Sequence, residues 1–247
     1  MKSGQLSYFL ILGLMILGLL IFTITILKPR IEVVDFSNPK SMHVFVERCL
    51  EDTARYALFQ LGLQGGYITL PEEHANIAHG DIAYAFKEGN RLVSISQMED
   101  QLSTFVGENA GKCIDQGIHF FEERFGKISY TIQSVQVHIQ EEDVRFAVEL
   151  PLTINAESIT RLNPTYQVTV PVRLRKIHQI IAGIVQEFVS TGHLLKLECV
   201  LDRHLSISGR SFGPENLFMI EDSASTLRNS PDRINEKYRF FFVIRDR

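Results

Sequence analysis

The chain opens with a long apolar stretch that lacks the alternation of polar and apolar positions seen further along. Residues 8–27 are twenty consecutive residues without a charge, and no polar stripe runs through them. A helix rises about 1.5 Å per residue, so this length spans the roughly 30 Å hydrocarbon core of a bilayer. The pattern predicts a transmembrane helix at residues 8–27, with the lipid bilayer as its partner. Tail and anchor together would occupy residues 1–30.

Three later segments repeat apolar residues at helical spacing. The first begins at Pro39, which Asn38 caps, and the second is expected to open with a capping box of Ser96 and Glu99. The third runs from about residue 174 to residue 190. Each is predicted to be amphipathic, with one face buried. The predicted buried faces are Val46, Cys49, Leu50, Thr53, Ala54, Ala57, Leu58 and Leu61; Met98, Leu102, Phe105, Val106 and Cys113; and Ile177, Ile180, Ile181, Ile184, Val185 and Phe188.

Elsewhere apolar and polar residues alternate with the period of two that is typical of strands. A short strand is predicted at residues 67–70, and a hairpin from residues 81–86 and 91–95 across the turn Lys87–Asn90. Further predicted strands form a meander over residues 128–154 and 166–172 and a tail over 205–208, 217–221 and 238–244. The predicted fold class is α+β, an N-terminal transmembrane helix followed by an antiparallel sheet packed with about three amphipathic helices.

The predicted organisation after the anchor has two parts. Residues 31–127 form a helix–hairpin–helix region, and residues 128–247 hold the meander, the third helix and the C-terminal strands. The interpretation of 31–247 as a single domain stays open, because this length suffices for one large core or two small ones.

The end of the apolar run indicates a retained signal anchor. The run continues into Lys28-Pro29-Arg30 without a small-residue cleavage site. A removable secretory signal has a shorter apolar stretch and such a site. Basic residues flank both ends of the run, so charge leaves its orientation open.

Composition excludes several classes of function. A formal net charge of −4 argues against a nucleic-acid binder that relies on electrostatics. Three cysteines do not make a disulfide scaffold. No motif calls for a cofactor, and the chain is predicted not to be an enzyme.

The start of the chain, Lys2-Ser3-Gly4-Gln5-Leu6-Ser7, resembles the archaeal class III signal peptide of pilin-like proteins. Gln5 and Ser7 match that pattern, whereas Phe9 stands where the family has glutamate. The resemblance implies processing by a prepilin-type peptidase and assembly into a filament.

A second resemblance covers most of the chain. It rests on residues 46–53 (VERCLEDT), residues 62–68 (GLQGGYI) and shorter matches at residues 112–114, 170–173 and 238–240. These segments are similar to a family of uncharacterised archaeal single-pass membrane-anchored proteins. The resemblance implies one N-terminal helix and a domain outside the cell, and it implies no activity.

Two clusters could carry chemistry. Glu72, Glu73, His74, His79 and Asp81 are the densest group of potential metal ligands, of which His74, His79 and Asp81 are the candidates for zinc. A solvated loop is the competing interpretation. Residues 209–213 (GRSFG) match the nucleophile elbow G-x-S-x-G, but no histidine follows them, which favours a glycine-rich turn.

Cys49 and Cys113 each lie on a predicted apolar helix face. They form a disulfide if the domain is extracytoplasmic and stay reduced in the core if it is cytoplasmic. Cys199 is left alone. A basic group at residues 173–178 could touch anionic lipid headgroups or be the solvated start of a helix.

Together these observations predict a membrane-anchored extracytoplasmic protein that binds a partner protein or takes part in envelope assembly without catalysis. Two alternatives remain, a pilin-like filament subunit and a membrane-tethered metal-dependent hydrolase. The first depends on Gln5 and Ser7, and the second on the loop that contains His74 and His79.

Overall fold

Three amphipathic helices pack against three small sheets in the computed structural model. It describes residues 15–16, 39–77, 80–155, 159–162, 164–192, 203–229 and 234–245. The chain divides into two units, residues 1–35 and residues 36–247. The second unit contains every helix and strand named below.

Helix α1 (Pro39–Leu63) has the predicted register, and the positions predicted to be buried from Val46 to Leu61 are buried apart from Thr53, which is half-buried. Helix α2 (Ile95–Phe125) starts earlier than predicted. Its N-cap is Ser94, whose side chain and that of Gln97 form the capping box, rather than Ser96 and Glu99. Both pairs fit the same S-x-x-E/Q pattern, and Glu99 instead accepts a hydrogen bond from the Ile139 amide at 2.8 Å. Helix α3 (Leu174–Thr191) agrees with its prediction to within a residue.

The prediction of a transmembrane helix has to be corrected. Among the described residues, no helix combines the length and the apolar character needed to cross a bilayer. Helix α1, for example, carries Arg48 and Asp52 on its exposed face. Residues 8–27 lie outside the described residues apart from Met15 and Ile16. The predicted fold class is therefore corrected to α+β with three helices and mixed sheets, without the transmembrane, single-pass element. The location at the cell membrane stays a prediction.

The largest sheet has five strands in the order β1-β2-β11-β10-β9. Their bounds are β1 His74–Ile77, β2 Gly80–Phe86, β9 Leu205–Phe212, β10 Glu215–Asn229 and β11 Ile234–Arg245. Strand β2 pairs with β11 in parallel, and every other pair is antiparallel. The expected all-antiparallel sheet is thus corrected to a mixed one.

The middle of the chain forms two three-stranded sheets instead of one meander. Their orders are β4-β5-β8 and β3-β6-β7. The strands are β3 Lys127–Tyr130, β4 Ser134–Ile139, β5 Val144–Glu149, β6 Leu152–Asn155, β7 Ile159–Leu162 and β8 Thr165–Val170. Pro151 separates β5 from β6, and a proline cannot donate to a strand ladder.

Two predicted strands before α2 are absent from the described residues. At residues 67–70 the amides of Ile68 and Thr69 bond to Gln101 Oε1, at 2.9 and 3.2 Å, instead of to a neighbouring strand. Residues 91–95 form no strand; beside β2 the chain makes an isolated bridge from Asn90 to Phe86 and a hydrogen bond from the Arg91 amide to the Ala85 carbonyl. The hairpin partner of β2 is β1 instead.

Helix α1 lies against strand β11 at very close range. The Tyr238 hydroxyl donates to the Leu58 carbonyl at 3.2 Å, and a Cβ on Gly62 would lie 2.4 Å from the Arg239 carbonyl oxygen. Only glycine permits that approach. On the opposite side Cys49 is bonded to Cys113 of α2, with the two Cα atoms 5.6 Å apart.

A buried ion pair joins the start of α3 to β10. The guanidinium of Arg173 donates to both carboxylate oxygens of Asp222, and the distance from its Nε to Asp222 Oδ2 is 2.9 Å. Both side chains are buried. Ser225 donates to Asp222 at 2.5 Å and accepts from the Arg173 amide at 3.1 Å. Ser225 lies in residues 223–225, which bulge out of the β10–β11 register. The two buried charges are therefore compensated by each other and by the hydrogen bond from Ser225.

Removing one partner of this pair should destabilise the protein strongly. We expect Asp222→Ala to lower the free energy of unfolding by about 3–5 kcal/mol, because it leaves the Arg173 charge buried and unpaired. The matched control is Glu51→Ala, which breaks an ion pair with Arg55 along α1. That change should cost no more than about 0.5 kcal/mol. Urea denaturation measures both, and equal losses would contradict the assignment.

The same carboxylate should make stability depend on acid. Burial raises the pKa of Asp222, but the hydrogen bonds from Arg173, Ser225 and the Ala224 amide outweigh it and lower the pKa below its usual value. The stabilisation is therefore complete above the pKa of an unfolded aspartate and is lost as the pH falls below about 4. Denaturation curves should show a steeper acid loss in the natural protein than in Asp222→Asn.

Candidate functional site

A cleft of about 370 Å³ lies beside the first hairpin of the large sheet. Its walls come from the loop that follows α1, from strand β2 and from the turn after β2. The lining residues are Tyr67, Pro71, Glu72, Glu73, Tyr84, Lys87 and Arg91. Concave sites of this size hold small molecules, so the cleft is the candidate functional site.

Two glycines allow the loop that follows α1 to pack closely on β2. Gly65 and Gly66 adopt φ values of +74° and +91°, which side chains other than glycine rarely accept. A Cβ on Gly65 would lie 3.0 Å from the Ala83 carbonyl oxygen. The chain therefore leaves α1 in a tight turn, and the bonds to Gln101 described above hold the residues that follow Tyr67.

The turn after β2 brings two cations to the cleft. Its backbone bonds run from the Lys87 amide to the Gly89 carbonyl at 3.1 Å and from the Arg91 amide to the Ala85 carbonyl at 2.9 Å. Glu88 takes a positive φ of 57° to complete it. Lys87 and Arg91 thus stand at the two ends of one short turn.

A carboxylate bridges those cations loosely. Glu73 places one oxygen 3.6 Å from Lys87 Nζ and the other 3.6 Å from the Arg91 guanidinium. Charge-assisted hydrogen bonds are shorter, about 2.7–2.9 Å. These contacts are ion pairs at long range, and the side chain of Glu73 is 58% exposed.

Tyr84 forms the floor beneath Lys87. The ammonium lies 5.2 Å from the centre of the tyrosine ring, within cation–π range. The Tyr84 hydroxyl donates to Glu215 at 2.5 Å. Burial first, and then the Glu215 carboxylate, raise the pKa of Tyr84, and burial also raises the pKa of Tyr67. Both tyrosine rings therefore stay neutral at physiological pH. The charged side chains of the cleft are those of the lysine, the arginine and the glutamates.

The predicted metal cluster is only partly brought together. Glu72 and Glu73 line the cleft, while His74 turns its Nδ1 to the Pro71 carbonyl at 2.9 Å and its Nε2 lies 3.8 Å from Asp81. His79 lies outside the described residues. Within the part of the chain that the structure describes, no three histidine, cysteine or acidic side chains converge on one metal-sized position. The metal-dependent hydrolase stays an untested prediction.

The other predicted sites fall elsewhere. Residues 209–212 belong to strand β9 and pair with β10 across a two-residue turn at Gly213 and Pro214, and the Ser211 hydroxyl donates to Asn216 Oδ1 at 2.6 Å. A nucleophile elbow requires a helix after the turn, and here a strand follows. Gln5, Ser7 and Cys199 lie outside the described residues.

The basic group at the start of α3 is not a solvated patch. Arg173 is buried against Asp222, and Arg175 donates to the Ile139 carbonyl at 2.9 and 2.6 Å. His178 contacts the Val93 carbonyl at 2.7 Å, and burial lowers its pKa. The expectation of a solvated helix start is wrong, because these side chains tie α3 to neighbouring segments.

The sequence did not indicate a functional role for three residues of the cleft. Tyr84, Lys87 and Arg91 lay within the predicted hairpin and were indistinguishable from ordinary strand and turn residues. The one available signal was a basic residue on each side of the glycine-containing turn 88–90. Their convergence with Glu73 depends on how the loop after α1 folds back.

The fold and the cleft define an α+β domain with a small, charged, aromatic-floored site. A scan against protein families, a search of curated proteins and a search of solved structures each found no match.

The hydrogen bond under the cleft should stabilise the protein measurably. We expect Tyr84→Phe to cost about 1 kcal/mol, because Glu215 is only partly buried and water can replace the lost hydroxyl in part. Tyr56→Phe is the matched control, since the exposed Tyr56 hydroxyl only accepts from Gln60 along α1. Thermal and urea unfolding should show a loss for Tyr84→Phe and almost none for Tyr56→Phe. Indistinguishable variants would mean that the Tyr84–Glu215 bond contributes nothing.

Proposed function

We propose that this protein is an extracytoplasmic binding protein of the cell envelope that recognises its ligand non-covalently through the cleft. The observation that carries the proposal is the bond between Cys49 and Cys113. Disulfides of this structural kind persist in oxidising compartments and are rare in the reducing cytosol.

The position of the disulfide supports a structural role over a catalytic one. Cys49 is 2% exposed and lies within the apolar core between α1 and α2. Close by, Phe45 packs so tightly on Gly117 that a Cβ there would lie 2.3 Å from its ring. A reactive cysteine pair needs access to a partner thiol, and this enclosure favours a permanent crosslink.

The crosslink would also stabilise the domain considerably. It joins residues 64 apart in the sequence. In the chain-entropy account, closing a loop of that length stabilises the folded state by about 4 kcal/mol. Such a contribution suits a protein that works outside the cell.

The cleft supports binding because its groups are arranged for recognition. Lysine, arginine and tyrosine side chains face one small space together with two glutamates, and the two cations favour an anionic or polar group on a ligand. The cleft is fixed by α1, α2 and β2 and therefore needs little ordering when a ligand arrives.

The compartment can be tested through the redox state of the cysteines in cells. The full chain is expressed with Cys199→Ser, so that Cys49 and Cys113 are the remaining thiols. Cells are lysed directly into denaturant with N-ethylmaleimide, and intact mass counts the labels. We expect label on neither cysteine without reductant, and on both in a second sample that is reduced in denaturant before the label is added.

The control chain carries Cys49→Ser and Cys113→Ser as well, and it should gain no label under either condition. Labelling of both cysteines without any reductant would show that they are thiols in the cell, and the extracytoplasmic placement would then be abandoned.

A further inference from the structure

We infer that the cleft binds a small ligand through one monoanionic carboxylate, which takes the place of the Glu73 carboxylate between Lys87 and Arg91. The inference rests on the proposed binding function and specifies its ligand class. It is carried by the juxtaposition of two cations, one exposed internal carboxylate and an aromatic floor.

The cations have hydrogen-bonding capacity to spare. Among the described residues, neither Lys87 Nζ nor the Arg91 guanidinium donates a hydrogen bond, and their nearest carboxylate oxygens are 3.6 Å away. An ammonium offers three donors and a guanidinium five. An incoming carboxylate that approached to about 2.8 Å would form charge-assisted bonds to both groups.

The position of Lys87 is prepared in advance. Its side chain is only 18% exposed and is held over the Tyr84 ring, which Glu215 fixes in turn. Little rotamer freedom is therefore lost when a ligand binds. Arg91 is 54% exposed and can adjust to the second oxygen.

Glu73 shows where a carboxylate fits. Its two oxygens address the two cations separately, so the spacing between Lys87 and Arg91 matches one carboxylate group. Because this side chain is largely exposed, it can swing into solvent at low cost. Glu73 thus acts as an internal competitor for the ligand.

The acidic surroundings select a single negative charge. Glu72 and Glu73 line the cleft; Glu215 lies beneath Tyr84, where Arg245 also interacts with the Tyr84 hydroxyl. Like charges at this range weaken binding, so a dianionic phosphate is repelled more than a carboxylate. Tyr67 and Pro71 offer an apolar wall for a ring or short chain attached to that carboxylate.

The probe is benzoate, which carries one carboxylate on one ring. Its neutral counterpart is benzyl alcohol, and the dianion is inorganic phosphate at mildly alkaline pH, where it is mostly doubly charged. The full-length protein is titrated with each and observed by amide NMR at Gly89 and Asn90. We expect saturable shifts with benzoate, none with benzyl alcohol and weaker binding of phosphate.

Variants separate the roles of the charges. Arg91→Met and Lys87→Met should each weaken benzoate about tenfold, the effect of losing one charge-assisted bond. Glu73→Gln should tighten benzoate severalfold, because it removes the competitor and one repulsive charge. Lys112→Met and Glu142→Gln are matched controls on exposed positions away from the cleft, and they should leave binding unchanged.

Each contrary result would refute one part of the inference. Benzoate that binds Arg91→Met and Lys87→Met as tightly as the natural protein would refute the site. A Glu73→Gln variant with unchanged affinity would refute the competitor role, and tighter binding of phosphate would refute the selection of a monoanion. Benzoate binding by a protein whose cysteines are reduced in cells would uphold this inference while refuting the extracytoplasmic function.

Discussion

The burial of α1 is the constraint on which the rest of the second unit depends. This helix packs on α2, on β8 and on the C-terminal strands, so its side chains serve several parts of the core at once. Three different links hold it there: a covalent bond from Cys49, a hydrogen bond from Tyr238 and the stacking of His43 on Tyr166 at 4.5 Å. Because the loop that leaves α1 forms a wall of the cleft, the geometry of the site follows from the placement of this helix.

Among the described residues, the buried polar side chains are those of Arg173, Asp222 and Ser225, which form a single group. Burying two charges costs several kcal/mol per ion unless each is fully hydrogen-bonded. Here the bulge at residues 223–225 supplies the hydroxyl and the amide that complete the arrangement. The bulge in β10 therefore offsets the cost of burying the ion pair. The ion pair in turn fixes where α3 begins.

Local patterns were predictable from the sequence, and partnerships between distant segments were not. The bounds of α1 and α3 follow from apolar spacing within each helix, and the buried positions agree. The parallel pairing of β2 with β11 joins residues such as Tyr84 and Val243, far apart in the chain, and no local signal encodes it. Likewise Glu73 was singled out for its charge, but its meeting with Lys87 and Arg91 depends on the turn at Gly65 and Gly66.

The disulfide has a topological consequence for the cleft. Every residue that lines it, from Tyr67 to Arg91, lies inside the covalent ring that Cys49 and Cys113 close. A protease that cuts the exposed turn at Gly89 would open this ring without dividing the molecule, and the two products would still migrate as one species until the bridge is reduced. A single backbone break in the loop that forms the site, as anywhere between Cys49 and Cys113, thus releases no fragment while the bridge is intact.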